Sequence, residues 1–271
     1  LPHGLKNPIF DSLNNRTPMK KSILLVALLL FAIAPVVAQT KNDSIVIPKN
    51  NFKISLTSLA FKNIQLQYER SVSKRIGIVL GYSFIPSGAL PFQKTINDFT
   101  SDDPETQGIF ENATLGYTAI TPEVRFYLGK GYGKGFYIAP FYRNVKYDIS
   151  NINFTFDTSP TGTNQENLAV GGKLTANSFG LQLGAQFNLG KHFILDWWIV
   201  GPHYGTSDGN FQGVTDRDLN AFEQEELRNQ LEDIELPLSD VTSTVTARGA
   251  TIKVSGPWGG VRSGLSLGYR F

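Results

Sequence analysis

The last eleven residues, Val261–Phe271, read Val-Arg-Ser-Gly-Leu-Ser-Leu-Gly-Tyr-Arg-Phe. Val261, Leu265, Leu267, Tyr269 and Phe271 share one parity, and Arg262, Gly264, Ser266, Gly268 and Arg270 share the other. A period of two marks a β-strand, because successive side chains leave the backbone on opposite faces. The second face is what decides the reading. A half-buried strand of a water-soluble sheet turns Lys and Glu to solvent, whereas this strand sets large apolar residues against small or polar ones. That pattern suits a wall with lipid outside and a narrow polar interior inside.

The same pattern recurs upstream. Ile76, Ile78, Leu80, Tyr82 and Phe84 alternate with Gly77, Val79, Gly81 and Ser83. Phe179, Leu181, Leu183, Ala185, Phe187 and Leu189 alternate with Gly180, Gln182, Gly184, Gln186 and Asn188. Weaker runs fill the gaps. Phe52–Leu59 and Ile64–Ser71 make a first hairpin, and Ala113–Leu128 is a long strand whose phase slips near Pro122, which predicts a bulge. Phe136 to about Ser150 follows, and His192 to about Tyr204 contains Trp197 and Trp198, so either phase buries a large ring. The expected fold is all-β: an eight-stranded antiparallel transmembrane β-barrel. Ten strands are possible, because Val241–Ala247 and Ala250–Val254 flank Arg248 and Gly249 like a hairpin. Those arms are shorter than the roughly 9–11 residues a span needs, which assigns them to an external loop.

The connections alternate in length. Val72–Arg75, Gly129–Gly135 and Gly190–Lys191 are short, whereas Pro86–Asn112, Asn151–Lys173 and Ser207–Pro257 are long. Short turns on the periplasmic side and long loops outside are the outer-membrane pattern, and the only short external connection is near Ala60–Asn63. The last long loop carries one helix. Thr215 and Asp218 read as its capping box, Leu219, Phe222, Leu227, Leu231 and Ile234 as its apolar face, and Pro237 as its end. Glu223, Glu225, Glu232 and Glu235 form an opposing acidic face. The apolar face caps the barrel mouth or neighbouring loops, or else binds an external partner.

The N-terminus points to export. Met19-Lys20-Lys21, an apolar run from Ser22 to Ala34, and Val36-Val37-Ala38 before Gln39 form a secretory signal peptide over residues 19–38, cleaved after Ala38. Pro35 interrupts the run short of the roughly 20 residues a spanning helix needs. Residues 1–18 read as an upstream extension, 39–50 as a linker and 51–271 as the barrel. Cys is absent, which excludes disulfides, thiolate metal sites and a Cys nucleophile. The net charge of +2 and the scattered basic residues argue against nucleic acid as a partner.

A terminal Phe271 with Tyr269, Leu267 and Leu265 at alternate positions before it resembles the assembly signal of small outer-membrane barrels of Gram-negative bacteria. The resemblance implies outer-membrane lipid and the barrel-assembly machinery as partners. Ala38-Gln39 and the segment Leu59–Arg70, with Gln-Tyr-Glu-Arg at 67–70, are similar to uncharacterised small barrels of Bacteroidota.

Strand phase places Gln65, Gln67, Glu69, Glu123, Arg125, Gln182, Gln186, Asp196, Arg262 and Arg270 on the lumen side. An eight-stranded barrel has room for little more than its own side chains, so these residues form a plug of ion pairs rather than an ion path or pocket. His203 with Ser207 and Asp208 is a candidate rim triad that no sequence motif supports. Asp98, Asp102, Asp103 and Glu105 could hold Ca²⁺ but lack the spacing of a helix–loop–helix site, so a solvated acidic loop is expected. Gly129–Gly135 reads as a turn rather than a phosphate loop. The expected function is a non-enzymatic surface barrel without cofactor, structural or binding an unidentified ligand through external loops. A narrow porin-like channel and a rim-sited lipid-modifying enzyme are the alternatives.

Overall fold

The computed structural model describes residues 48–100, 108–129, 131–159, 164–232 and 238–271. The expected signal peptide and the extension before it lie outside these residues. One compact unit, Ile47–Phe271, holds everything that follows. Its elements are β1 (Asn50–Ser55), α1 (Leu56–Leu59), β2 (Ile64–Ser71), β3 (Ile76–Ala89), α2 (Gln93–Thr100) and β4 (Thr114–Tyr127). They continue with β5 (Gly135–Asp157), β6 (Gln165–Leu189), β7 (Phe193–Val214), α3 (Ala221–Glu232), β8 (Asp240–Thr246) and β9 (Gly249–Arg270).

Eight strands close a ring in the order β1-β2-β3-β4-β5-β6-β7-β9, with β9 returning to β1. Every neighbouring pair is antiparallel. The register fixes the shape. In one direction Ile120 pairs with Asn144, then Asn177, Thr206 and finally Pro257. In the other it pairs with Tyr82, then Leu66, Ile54 and finally Leu267. One circuit therefore lands ten residues further along β9. A stagger of that kind requires strands tilted by roughly 35–45° to the barrel axis. Both ends of the barrel chain meet at the short-turn side, where Asn50 and Phe271 exchange backbone hydrogen bonds of 3.0 and 2.9 Å.

The alternation read from the sequence sorts side chains as expected. Ile78, Tyr82, Ile120, Val124, Phe126, Phe136, Ile138, Phe179, Leu181 and Phe187 are exposed on the outside, and so are Leu267, Tyr269 and Phe271. Most of their strand neighbours are buried inside. Above this apolar band the outward positions turn polar, with Asn144, Lys146 and Asp148 on β5 and Lys173, Thr175 and Asn177 on β6.

The elements depart from the sequence reading in four respects. First, the strand expected over Phe52–Leu59 ends at Ser55, whose hydroxyl accepts from Ser58 N at 3.3 Å and caps α1. Second, β4 shows no bulge at Pro122: its inward positions run unbroken from Tyr117 to Tyr127. The apparent slip arises because Tyr117 and Ala119 face inward against Val145, making the lumen apolar at that level. The register shifts lie instead at Ile85/Gly88 in β3, between Ile149 and Ile152 in β5, and between Trp198 and Gly201 in β7. The β7 bulge follows Trp198, which points inward, while Trp197 points outward.

Third, the expected loops 151–173 and 207–257 are largely strand. β5, β6, β7 and β9 run to 23, 25, 22 and 22 residues and rise beyond the ring as a tall extension. The hairpin at Arg248–Gly249 exists, but Gly249–Ser255 is the upper part of β9, and β8 is an added edge strand outside the ring. The barrel stays at eight. Fourth, α1 and α2 join the one helix expected in the last loop.

That helix lies on the extension. Leu219, Leu227 and Leu231 pack against Phe156, Leu168, Val170, Ala250 and Ile252, a core that α3 closes from one side. Its capping box is Asn220–Glu223, not Thr215–Asp218. Glu223 N donates to Asn220 Oδ1 at 3.0 Å, and Asn220 N donates to Glu223 Oε2 at 2.8 Å. Glu223 is therefore buried rather than on an acidic outer face, while Phe222, expected inside, is 37% exposed. Ile234, Glu235 and Pro237 lie outside the described residues.

Candidate functional site

The ring encloses a dense cluster of buried charge. It begins at Lys53, which β1 points inward between the outward Phe52 and Ile54. Lys53 Nζ lies 2.5 Å from Glu69 Oε2 and 2.7 Å from Asp196 Oδ2, and donates to Gln186 Oε1 at 2.5 Å. Arg125 Nη1 meets the same Asp196 oxygen at 2.6 Å, while its Nε and Nη2 hold Glu123 Oε1 at 2.6 and 2.5 Å. Tyr127 donates to Glu69, Tyr137 donates to Asp196 Oδ1 at 2.8 Å, and Trp198 Nε1 reaches Asp196 Oδ2 at 3.3 Å. The side chains of Lys53, Glu69, Arg125 and Asp196 are fully buried. They come from β1, β2, β4 and β7, so the cluster ties opposite walls together. Buried charges are tolerable only when paired and hydrogen-bonded in this way.

The interleaved glycines have a steric reason. A Cβ at Gly184 would lie 2.4 Å from the Tyr137 ring, and one at Gly201 would lie 2.2 Å from Gln182 Oε1. At Gly77 and Gly268 it would come within 2.8 Å of Glu69 Oε1 and Lys53 Cγ. Each of these long side chains crosses the bore over a glycine of the adjacent strand. The small residues therefore make room for the plug.

All ten lumen candidates are buried. The structure joins Glu69, Glu123, Arg125, Gln186 and Asp196 into one network. Arg270 sits apart at the short-turn end, where it donates to the carbonyls of Pro48 at 3.0 Å and Tyr132 at 2.5 Å. Gln182 and Arg262 sit above the network. Arg262 Nη1 is 3.5 Å from Glu123 Oε2, and its guanidinium lies 4.5 Å from the centre of the Phe141 ring and 5.0 Å from that of Trp198. Leu265 is partly buried, and Leu267, Tyr269 and Phe271 face outward on β9 as the terminal alternation requires.

Sequence reasoning missed Lys53, Tyr127, Tyr137 and Trp198. The signal for Lys53 was present in the alternation Asn51, Lys53, Ser55 against Phe52 and Ile54. The inward tyrosines could not be told from outward-facing ones by type alone. His203 and Ser207 do not form a triad with Asp208. The first two are four residues apart on one strand face, roughly 13 Å at 3.3 Å per residue, and Asp208 points to the other face. Ser207 donates to Gly256 O at 3.4 Å. Among the described residues no group of three His, Asp or Glu side chains could hold a metal. Asp98 lies on α2, whereas Asp102, Asp103 and Glu105 fall outside the described residues. The Gly129–Gly135 segment is a turn, with positive φ at Gly131, Gly133 and Gly135.

A profile described as a protein of unknown function (DUF3575) matches residues 27–218, more than two thirds of the chain. The chain belongs to the DUF3575 family. In this family member the match takes in β1 to β7, and so every residue of the ion network. No curated protein matches it. Among solved structures it is similar to the N-terminal β-barrel domain of Pseudomonas aeruginosa OprF, at 10% identity and a TM-score of 0.30, over 83% of this chain and 98% of that one. It is also similar to the outer membrane protease OmpT of Escherichia coli, at 10% identity and a TM-score of 0.38, over 83% and 93%. The translocator domain of the autotransporter NalP from Neisseria meningitidis matches at 9% identity and a TM-score of 0.26, over 93% and 97%. The assignment of a closed barrel rests on the register of this chain's own strands.

Proposed function

We propose that this DUF3575 protein is an outer-membrane β-barrel with a closed, non-conducting bore and no enzymatic activity, acting at the cell surface through the extension above the ring. The observation that carries this reading is the buried ion network, which bridges the bore from β1 and β2 to β4 and β7. An ion crossing the barrel must separate Lys53 and Arg125 from Glu69 and Asp196, and each broken buried pair costs about 3–5 kcal/mol. The apolar outer band and its polar upper margin support insertion in a bilayer with the extension outside. The terminal strand supports export and handling by the barrel-assembly machinery of a Gram-negative cell. The similarity of Leu59–Arg70 to small Bacteroidota barrels supports that source. The long sheet and its docked helix offer a structured surface for an external partner.

Planar-bilayer recording tests the closed bore. The purified, folded barrel is expected to give no steady single-channel conductance. A stable open channel in the wild type would overturn the reading and put the narrow porin-like channel in its place.

A further inference from the structure

Above the ion network the lumen changes sign. Glu123 is the carboxylate that faces Arg262, and its Oε1 is already held by two nitrogens of Arg125. Only Oε2 is left for Arg262, at a stretched 3.5 Å. Arg262 is 7% exposed, yet its Nη1 and Nη2 have no hydrogen-bond partner among the described residues. Its neighbours add positive charge. Arg143 enters from β5 with its guanidinium on the Tyr117 hydroxyl, two residues from Phe141 on the same inward face, and the Phe141 ring meets both Arg262 and His203. His203 packs edge-on to Phe141, 6.1 Å between centres, with Nδ1 buried and unpartnered. Unpaired buried donors are costly, so the two terminal nitrogens of Arg262 call for an acceptor.

We infer that Arg262, Arg143 and His203 form an oxyanion-binding site in the outer half of the lumen, taking a carboxylate or phosphate group. Arg262 supplies paired N–H donors set against aromatic faces that exclude water, the arrangement in which a guanidinium binds a planar or tetrahedral oxyanion most strongly. Arg143 and His203 are partly exposed and lie toward the mouth, while Arg262 is the buried anchor.

The wall beside this site is unusual. β9 pairs with β8 as far as Ser255 and with β1 only from Ser266, so between them its outer edge meets no described strand. β1 and β2 are 6 and 8 residues long, below the roughly 9–11 that cross a bilayer. α1 stands in this gap, and Thr57 Oγ1 accepts from Leu265 N at 3.2 Å. The free stretch includes Gly256, Gly259, Gly260, Ser263 and Gly264, with Arg262 pointing inward from it. Next to the gap an apolar groove of about 360 Å³ is lined by Leu59, Ile64, Ile85, Pro86 and Ala89, with Lys62 among them. The oxyanion can therefore arrive free through the mouth or as the head of a single-chain amphiphile entering from the side. The side route rests on the membrane placement proposed above; the lumenal site does not.

Tryptophan fluorescence tests the site, because Trp198 lies against Arg262. Folded protein in dodecyl maltoside is titrated with inorganic phosphate and, separately, with dodecyl phosphate, using dodecanol as the uncharged control. Saturable quenching is expected, weakened about tenfold by Arg262→Gln or Arg143→Gln and unchanged by Lys146→Gln on the outer wall. Binding of inorganic phosphate identifies a free-anion site. Binding of dodecyl phosphate alone identifies a headgroup site. No saturable binding of either, binding matched by dodecanol, or equal weakening by Lys146→Gln overturns the inference. If Arg262→Gln does not fold, the half-exposed Arg143→Gln decides.

Discussion

Lys53 and Glu69 provide the sharpest test of the plugged lumen. Lys53→Met removes the ammonium that lies 2.5 Å from Glu69 and 2.7 Å from Asp196, all three side chains being fully buried. Breaking a buried pair costs about 3–5 kcal/mol, chiefly because the remaining charge is left uncompensated. Here the lower end applies, because both carboxylates keep partners. Asp196 retains Arg125 at 2.6 Å and Tyr137 at 2.8 Å, and Glu69 retains Tyr127 and a 3.5 Å contact with Arg125. A loss of about 3 kcal/mol lowers the folding equilibrium roughly 150-fold. Glu69→Gln alone strands the ammonium less completely, since Asp196 and Gln186 remain, and is expected to cost about 2 kcal/mol. The double variant Lys53→Met, Glu69→Gln removes one charge of each sign and buries a similar volume. It is expected to be more stable than the sum of the single losses by at least about 2 kcal/mol, the coupling of directly interacting groups. The assay is reversible urea unfolding in phospholipid vesicles, followed by tryptophan emission. Additive losses, with no coupling, would falsify the paired-charge account of the lumen.

Three further outcomes follow from the same geometry. Changing both Tyr269 and Phe271 to Asp puts two charges on the outward face of β9 where it closes against β1, and is expected to abolish heat-modifiable protein in outer-membrane fractions; normal yield would refute a role for the terminal strand in insertion. Leu227→Ala empties a fully buried position between α3 and the extension and is expected to cost about 2–5 kcal/mol locally, read as faster proteolysis within residues 216–238 with the ring still protease-resistant. Glu223, held below its ordinary 4.5 by hydrogen bonds from Arg217, stabilises the docked helix above that pH and ceases to do so as pH falls through its lowered value. Amide exchange in α3 is thus expected to accelerate only on acidification below about 4.5, and Glu223→Gln is expected to flatten that response.

Most of the ring was legible in the sequence because a strand writes its two environments into alternate residues. Ile76–Phe84, Phe179–Leu189 and Val261–Phe271 each carry outward-facing apolar bulk on one parity and lumen-facing polarity or glycine on the other. The positions of Glu69, Glu123, Arg125, Gln186 and Asp196 inside the barrel follow from that parity alone. Parity gives the side of a wall, however, and not the partner across the bore. That Lys53 is the cation shared by Glu69 and Asp196 depends on the ten-residue stagger, which brings residues 143 positions apart into contact. The apparent slip at Pro122 misled for a related reason: at the level of Tyr117 and Ala119 the lumen is apolar, so hydrophobicity no longer reports which face is inside. The extension was invisible because the length expected of a membrane span bounds only that part of a strand. Beyond it, β5, β6, β7 and β9 keep pairing because α3 covers their inner face, and that cover exists only once the chain has folded. The sequence by itself determined which residues face outward and which face inward; the tertiary structure decided which charges pair, because pairing is set by stagger and tilt that no single strand contains.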